Sequence, residues 1–399
     1  MGWNKKSNLA QYGQGNWDNF VKKTRNTTSE EAMRIAFANP EITFFFFCRE
    51  TIILDRPPAS QYGPFEAGDA VFFKGEPWYG NAPQCDSYEK TPISTVYINP
   101  LNNQQFQDIT TYVLRDGTPA IDVVCIFAAN YATNTIPMLR ANNNYPPTKN
   151  PFNANIQDVL LSGLVKTLQN KGITVLLTIM GSHTETGWSQ FTDQSTAQNF
   201  VDYLNSQVVT LYSLDGIDID DEYSNGPVNN SSLAMVTTLM KKSMPGKLIT
   251  KALWSDHDRF TANWNGNTLG ANLDYGWEMN YYSGDANFRL GFYTSYMKKK
   301  QLCLGFSAER RFSSQWNQVG PQATTTISEG YAGGMMFAYE NQPDSIGLMK
   351  AMIDGMDGPG NWNKVTAENL NKDVATSFSA TKEVGNEVET RNRDCCIIV

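Results

Sequence analysis

Eight short apolar runs alternate with amphipathic helical patterns, and this predicts a (β/α)8 TIM barrel over residues 91–357. A small N-terminal α+β accessory domain is expected over residues 1–90, and a flexible polar tail over 358–399. Two further observations favour a closed barrel over an open doubly wound sheet. No Gly-x-Gly-x-x-Gly follows a strand, and a cluster of carboxylates sits at the end of one strand, where barrels hold their chemistry.

Taken in order, the first ninety residues carry two β-type runs, "EITFFFFCRETIILD" and "GDAVFFKGEPWYG", split by the Pro- and Gly-rich "RPPASQYGPFEAG". The helix-like "SEEAMRIAFA" precedes them. Trp78 and Tyr79 are read either as a carbohydrate platform or as packing against the barrel. The eight barrel strands are expected at Ser94 to Asn99, Ile121 to Asn130, Ile173 to Gly181, Leu214 to Asp220, Lys247 to Trp254, Leu273 to Tyr281, Leu302 to Ser307 and Gly333 to Glu340. After the second strand, "NIQDVLLSGLVKTLQNKG" places Ile156, Leu160, Leu164 and Leu168 on one helical face, and Gly172 supplies a left-handed stop. The next crossover repeats the pattern with Phe200, Leu204, Val208 and Leu211. Past about Gly355 the chain turns polar and loses any sustained apolar face.

Composition narrows the function classes. The 399 residues are 41% hydrophobic, enough for a substantial core, and the net charge of -8 with no basic block argues against nucleic acid. Nine Trp and eighteen Tyr allow stacking surfaces for sugars, although most will be core. Six Cys at irregular spacing read as free thiols, and His183 and His257 have no partner at metal-ligand spacing, so neither a metal nor a cofactor is expected. The N-terminus shows no apolar signal region, which points to a cytoplasmic protein. The terminus "CCIIV" has the shape of a prenylation box at Cys396, read either as a membrane anchor or as an accidental apolar end.

The chemistry concentrates in "LDGIDIDDEYSNG". Residues two apart on a strand share a face, so Asp218, Asp220 and Glu222 point into the barrel while Ile217 and Ile219 meet the helices and Asp221 alternates outward. A solvated helix face would not need isoleucines at period two. A calcium loop fails because its turn glycine would fall on Tyr223 and its bidentate glutamate on Asn229. A purely structural cluster would leave like charges side by side with nothing local to offset them. Packed carboxylates cannot all ionise cheaply, so one stays protonated as a general acid. Glu222, nearest the rim, is the expected acid, with Asp220 sharing a proton with Glu222 or Asp218. Such a site suits an acetal, whose leaving oxygen must be protonated.

The run Asp215 to Glu222 resembles the DGxDxDxE signature of family 18 glycoside hydrolases. With "DVVCIFAANY", "KGITVLLTIMGSH", "DYGWEMNYYSG" and "EGYAGGMMFAYEN", the chain from about Ser94 to Met352 is similar to the Endo H type of endo-β-N-acetylglucosaminidase. The resemblance implies retaining, substrate-assisted hydrolysis, in which the substrate's own acetamide is the nucleophile. Glu222 would then be the acid/base, Asp220 would orient the acetamide, Asp218 would tune Asp220, and Asp215 would hold the strand end. A tyrosine after the sixth strand would bond the oxazolinium intermediate. Met279-Asn280-Tyr281 fits the chitinase pattern and Asn280-Tyr281-Tyr282 the endoglycosidase one, so Asn280 and Tyr282 are favoured, with Tyr281 next. Trp277 is read as a sugar floor or as core. Asn130, Tyr131, Gly181, Ser182, His183, Trp254, Tyr339, Glu340 and Asn341 are rim candidates for glycan contact from barrel position alone. The expected substrate is an N-glycan or glycoprotein, cut between the two core N-acetylglucosamines. A chitinase of the same family and a non-catalytic glycan-binding lectin are the alternatives.

Overall fold

The computed structural model describes residues 3–11, 17–39, 41–53, 63–75, 79–132, 138–141, 154–181, 187–222, 226–282, 284–357 and 362–364. Eight parallel strands close into a barrel, numbered here β1 (Ile93–Ile98), β2 (Val123–Ala132), β3 (Thr174–Met180), β4 (Gly216–Asp220), β5 (Leu248–Leu253), β6 (Tyr275–Glu278), β7 (Leu302–Ser307) and β8 (Gly333–Phe337). Each pairs with its neighbours in sequence, and β8 with β1 closes the ring. A strand buried on both faces reads as a continuous apolar run, and "TVLLTIM" of β3 is buried throughout. One core lies between strands and helices, including Ile217, Ile219, Phe200 and Leu168. A second fills the barrel interior, including Tyr97, Phe127, Trp277 and Met335.

All eight expected strands form, but two are shorter at their C-terminal ends. β6 stops at Glu278 and is followed at Tyr281 by left-handed backbone (φ 57°). β8 stops at Phe337. β2 instead runs on to Ala132 and pairs antiparallel with Met138–Ala141, a hairpin that the alternation does not announce. The first crossover helix is two helices, Ala154–Leu161 and Leu164–Gln169, because Gly163 takes a left-handed φ of 81°. Its four-residue stripe still faces the core, and Gly172 does take the left-handed turn (φ 82°). The second crossover passes into a π-helical stretch, Leu204–Thr210, which keeps Leu204 and Val208 inward but leaves Leu211 60% exposed.

The N-terminal part is a five-stranded antiparallel sheet of Trp3–Gln11, Tyr79–Lys90, Phe44–Cys48, Ala70–Phe73 and Phe20–Thr24, in that spatial order. The two outer-sheet partners rich in Lys, Asn and Gln, Trp3–Gln11 and Tyr79–Lys90, are strands that composition hides. The helix Ser29–Phe37 is capped by Thr28, whose hydroxyl accepts from the Glu31 N–H at 3.1 Å. It packs Ala32, Met33 and Ala36 on the Phe45 and Phe72 face of the sheet. Its end reaches the base of the barrel, where the Phe37 ring lies 5.0 Å from that of Tyr275 and joins the interior core. Tyr79 stays within the sheet: its hydroxyl donates to Glu89 and Lys6 sits over its ring.

Trp362–Lys364 pairs with Tyr112–Leu114, so a strand lies inside the segment expected to be tail. Trp78, Ser182, His183 and Cys396 lie outside the described residues, as does the side chain of Tyr131.

Candidate active site

Strand β4 owes its place to Gly216, where a Cβ would lie 2.1 Å from the Leu248 carbonyl oxygen. That contact lets β4 run close beside β5. Below it Asp215 ties the strand end: it accepts from the Arg34 guanidinium (2.9 and 3.2 Å), the Gln169 amide (3.0 Å) and the Val175 N–H (2.9 Å).

Asp218 sits fully buried at mid-height in the barrel. Four donors from four different strands converge on it: Tyr97 Oη (2.7 Å), Thr178 Oγ1 (2.9 Å), Thr250 Oγ1 (2.6 Å) and Trp277 Nε1 (3.0 Å). Thr178 and Thr250 are its register partners on β3 and β5. Burial pushes the Asp218 carboxyl up, and the four hydrogen bonds pull it back.

Asp220, one repeat nearer the mouth, is also buried but unlike Asp218 keeps Oδ1 without a hydrogen-bond partner among the described residues. Its carboxyl is held well above the usual carboxylate range by burial first, then by the charges of Glu222 and Asp218, with Lys251 opposing. Both carboxyls are raised by burial, but hydrogen bonds offset the effect at Asp218 while neighbouring charges add to it at Asp220. Glu222 is buried just beyond the strand.

Asp220 opens onto a cavity walled by Tyr97, Phe127, Ala252, Met279, Tyr281, Met335 and Phe337. The aromatic walls brace one another, with Phe127 and Phe337 edge to face at 5.1 Å and Tyr281 stacked on Phe337 at 6.3 Å. A buried acid beside an apolar recess is a site for protonating or steering a polar group of a ligand.

The structure sorts the remaining candidates. Tyr281 lines the cavity, whereas Tyr282, the one favoured from sequence, is 51% exposed with its ring against Phe312. The reason is the left-handed turn at Tyr281, which ends the strand alternation. Asn280 is half-buried, its N–H donating to Glu278. Trp277 is fully buried, stacked on Tyr275 and spent on Asp218, so it floors the carboxylate rather than a sugar. Tyr339 points into the outer layer, where its hydroxyl meets the Tyr112 hydroxyl at 3.1 Å and donates to Asn341 Oδ1 at 3.2 Å, because β8 has already ended. Asn130 is buried at the end of β2 opposite Met180, Glu340 is half-buried, and Trp254 packs on the interior core with its indole N–H unpartnered. Sequence reading passed over Tyr97, Thr178 and Thr250. Laying the strands side by side at the height of Asp218 would have found them.

Comparison with known proteins agrees with this arrangement. A family model for the TIM-barrel domain of the endo-β-N-acetylglucosaminidase EndoS matches residues 112–340. An endo-β-N-acetylglucosaminidase of Flavobacterium sp. (strain SK1022) is 33% identical over 207 residues, covering 50% of this chain and 62% of that protein, less than two thirds of its length. Endo-β-N-acetylglucosaminidase F1 of Elizabethkingia meningoseptica is 31% identical over 253 residues, 61% of this chain and 68% of that protein. The fold is shared with Bacteroides thetaiotaomicron EndoBT-3987, solved in complex with a Man9GlcNAc2Asn substrate, at a TM-score of 0.53 and 18% identity over 86% of this chain and 88% of that one. Through its barrel the chain belongs to the family of the endo-β-N-acetylglucosaminidase EndoS TIM-barrel domain.

Proposed function

We propose that the chain is a retaining, substrate-assisted endo-β-N-acetylglucosaminidase that hydrolyses the bond between the two core N-acetylglucosamines of N-glycans. The observation that carries this reading is the pairing on one strand of a fully bonded Asp218 with an Asp220 that lines the cavity and whose Oδ1 has no hydrogen-bond partner among the described residues. An acetamide N–H supplies the hydrogen bond that this oxygen lacks. Asp220 then steers the acetamide carbonyl onto the anomeric carbon, and no protein nucleophile is needed. Glu222 gives its proton to the glycosidic oxygen and takes one back from the water that opens the oxazolinium. Asp218, held by four donors, sits next along the strand, and its charge raises the Asp220 carboxyl. Tyr281, on the cavity wall, bonds the intermediate. The names of the curated relatives support cleavage at an N-acetylglucosamine within a chain.

Mass spectrometry of a high-mannose glycoprotein and of chitin oligomers after incubation tests the reading. The expected result is a glycoprotein left with a single N-acetylglucosamine on its asparagine, and loss of release by at least about 1000-fold in Glu222→Gln with glycan binding intact. Cleavage of chitin alone replaces the reading with a chitinase, and cleavage of neither with a lectin.

A further inference from the structure

Asp221 stands between the two carboxylates of the proposed reaction, and its side chain goes the other way. On the outer side of β4 it accepts a short hydrogen bond from the Ser189 hydroxyl, which in turn accepts from Arg259 Nε at 3.2 Å. Ser189 is itself buried, and its carbonyl accepts from the Asn229 N–H at 2.8 Å. Beside it stands Lys251, fully buried on β5 in register with Ile219. The Lys251 ammonium lies 2.6 Å from Asp256 and donates to the Ala252 carbonyl at 2.8 Å. Asp256 also meets the Tyr293 hydroxyl at 3.5 Å. A buried Lys251–Asp256 pair and a half-buried Asp221 and Arg259 thus gather behind the strand. Enclosing that much charge is costly unless each member is held by another.

We infer that Asp221 is a positioning residue: its tie to Ser189, Arg259 and the Lys251–Asp256 pair pins the backbone between Asp220 and Glu222 so that both face the cavity. This rests on the functional reading above. Asp221 follows directly on β4, so fixing its side chain fixes the peptides that join it to Asp220 and Glu222. β4 ends at Asp220, and the Asp221 cluster anchors the first residue beyond it, next to Glu222. Arg259 and Asp256 come from the segment after β5, and Ser189 from the segment after β3, so the cluster also joins the two loops flanking Glu222.

The cluster reaches the site electrostatically too. Asp220 feels Asp218 and Glu222 on its own strand and Lys251 from β5, and Tyr97 of β1 and Tyr281 after β6 face the same cavity. Asp221 raises the Asp220 carboxyl and Lys251 lowers it.

Two variants test the inference on purified full-length chain, with thermal melting to verify the fold. Ser189→Ala removes the tie and keeps the charge; Asp221→Asn removes the charge and keeps a hydrogen-bond acceptor. Ser189→Ala lowers kcat about 10-fold to 100-fold with KM within about two-fold, and leaves the pH profile in place. Asp221→Asn shifts the alkaline limb of the kcat profile to lower pH, because one anion fewer stands near the shared proton. Wild-type kcat and pH profile in both variants overturn the inference while leaving the glycosidase reading intact. A wild type that releases no glycan overturns both.

Discussion

Asp218 and Asp220 are chemically identical, two residues apart on one strand, and equally buried, yet the barrel prepares them for opposite tasks. The difference lies in the hydrogen bonds each receives, four against an oxygen with none. The same logic of local surroundings separates the two tyrosines. Tyr281 walls the cavity with a buried ring, and Tyr282 spends half its surface in water. Tyr281→Phe should lower kcat about 100-fold, while Tyr282→Phe should stay near wild type, as measured by initial rates of glycan release. Equal losses from the two would return the choice to the register favoured from sequence. The three acids were legible in the chain because carboxylates at period two beside isoleucines fit few other patterns. Trp277 and Tyr339 were not. One lies a layer too deep and the other past a strand end, and counting along a strand shows neither depth nor where the alternation stops.

At the scale of elements, parallel strands advertise themselves by apolar runs, and all eight were visible for that reason. The break at Gly163 was hidden because Ile156, Leu160, Leu164 and Leu168 keep one face through it. Close strand approaches were hidden as well. A Cβ at Gly305 on β7 would fall 1.6 Å from the Glu278 carbonyl oxygen and 3.1 Å from Tyr281 Cε1. The Gly305 N–H and carbonyl also bond the Glu278–Arg289 pair, with Arg289 Nη2 donating to the carbonyl at 2.6 Å. Gly305 is thus the point where β7 lets the end of β6 lean in and carry Tyr281 to the cavity. Gly305→Ala should cost about 3 kcal/mol of stability, read as a lower urea midpoint, and should reduce kcat in the surviving folded fraction. A stable, fully active variant would mean that β6 is free to shift without moving the site.

Over the whole molecule, the N-terminal part closes the end of the barrel opposite the site. Arg34 pairs with Asp215 below β4, Phe37 enters the interior core, and Lys90 donates to the Tyr275 hydroxyl at 3.0 Å while lying over the Phe37 and Tyr275 rings. Burial pushes the Lys90 amine down from its ordinary 10.5 to about 7, with Asp122 and Asp274 opposing. Below pH 7 the folded and unfolded chains both carry this charge, and the folded chain bears the cost of enclosing it. Between pH 7 and 10.5 the unfolded chain holds a proton that the folded one has released, so this group makes stability rise with pH across that window. Tyr275, whose hydroxyl burial raises well above its usual range, begins to act in the opposite sense once the unfolded chain's tyrosines ionise, at about pH 10. Thermal melting between about pH 6 and pH 9.5 should therefore show a midpoint rising by about 2–4 °C, and Lys90→Met should remove that rise by lifting the acid end. Parallel curves for the two proteins would show that the amine reaches water at the barrel base, and that Phe37 and the sheet behind it do not seal that end.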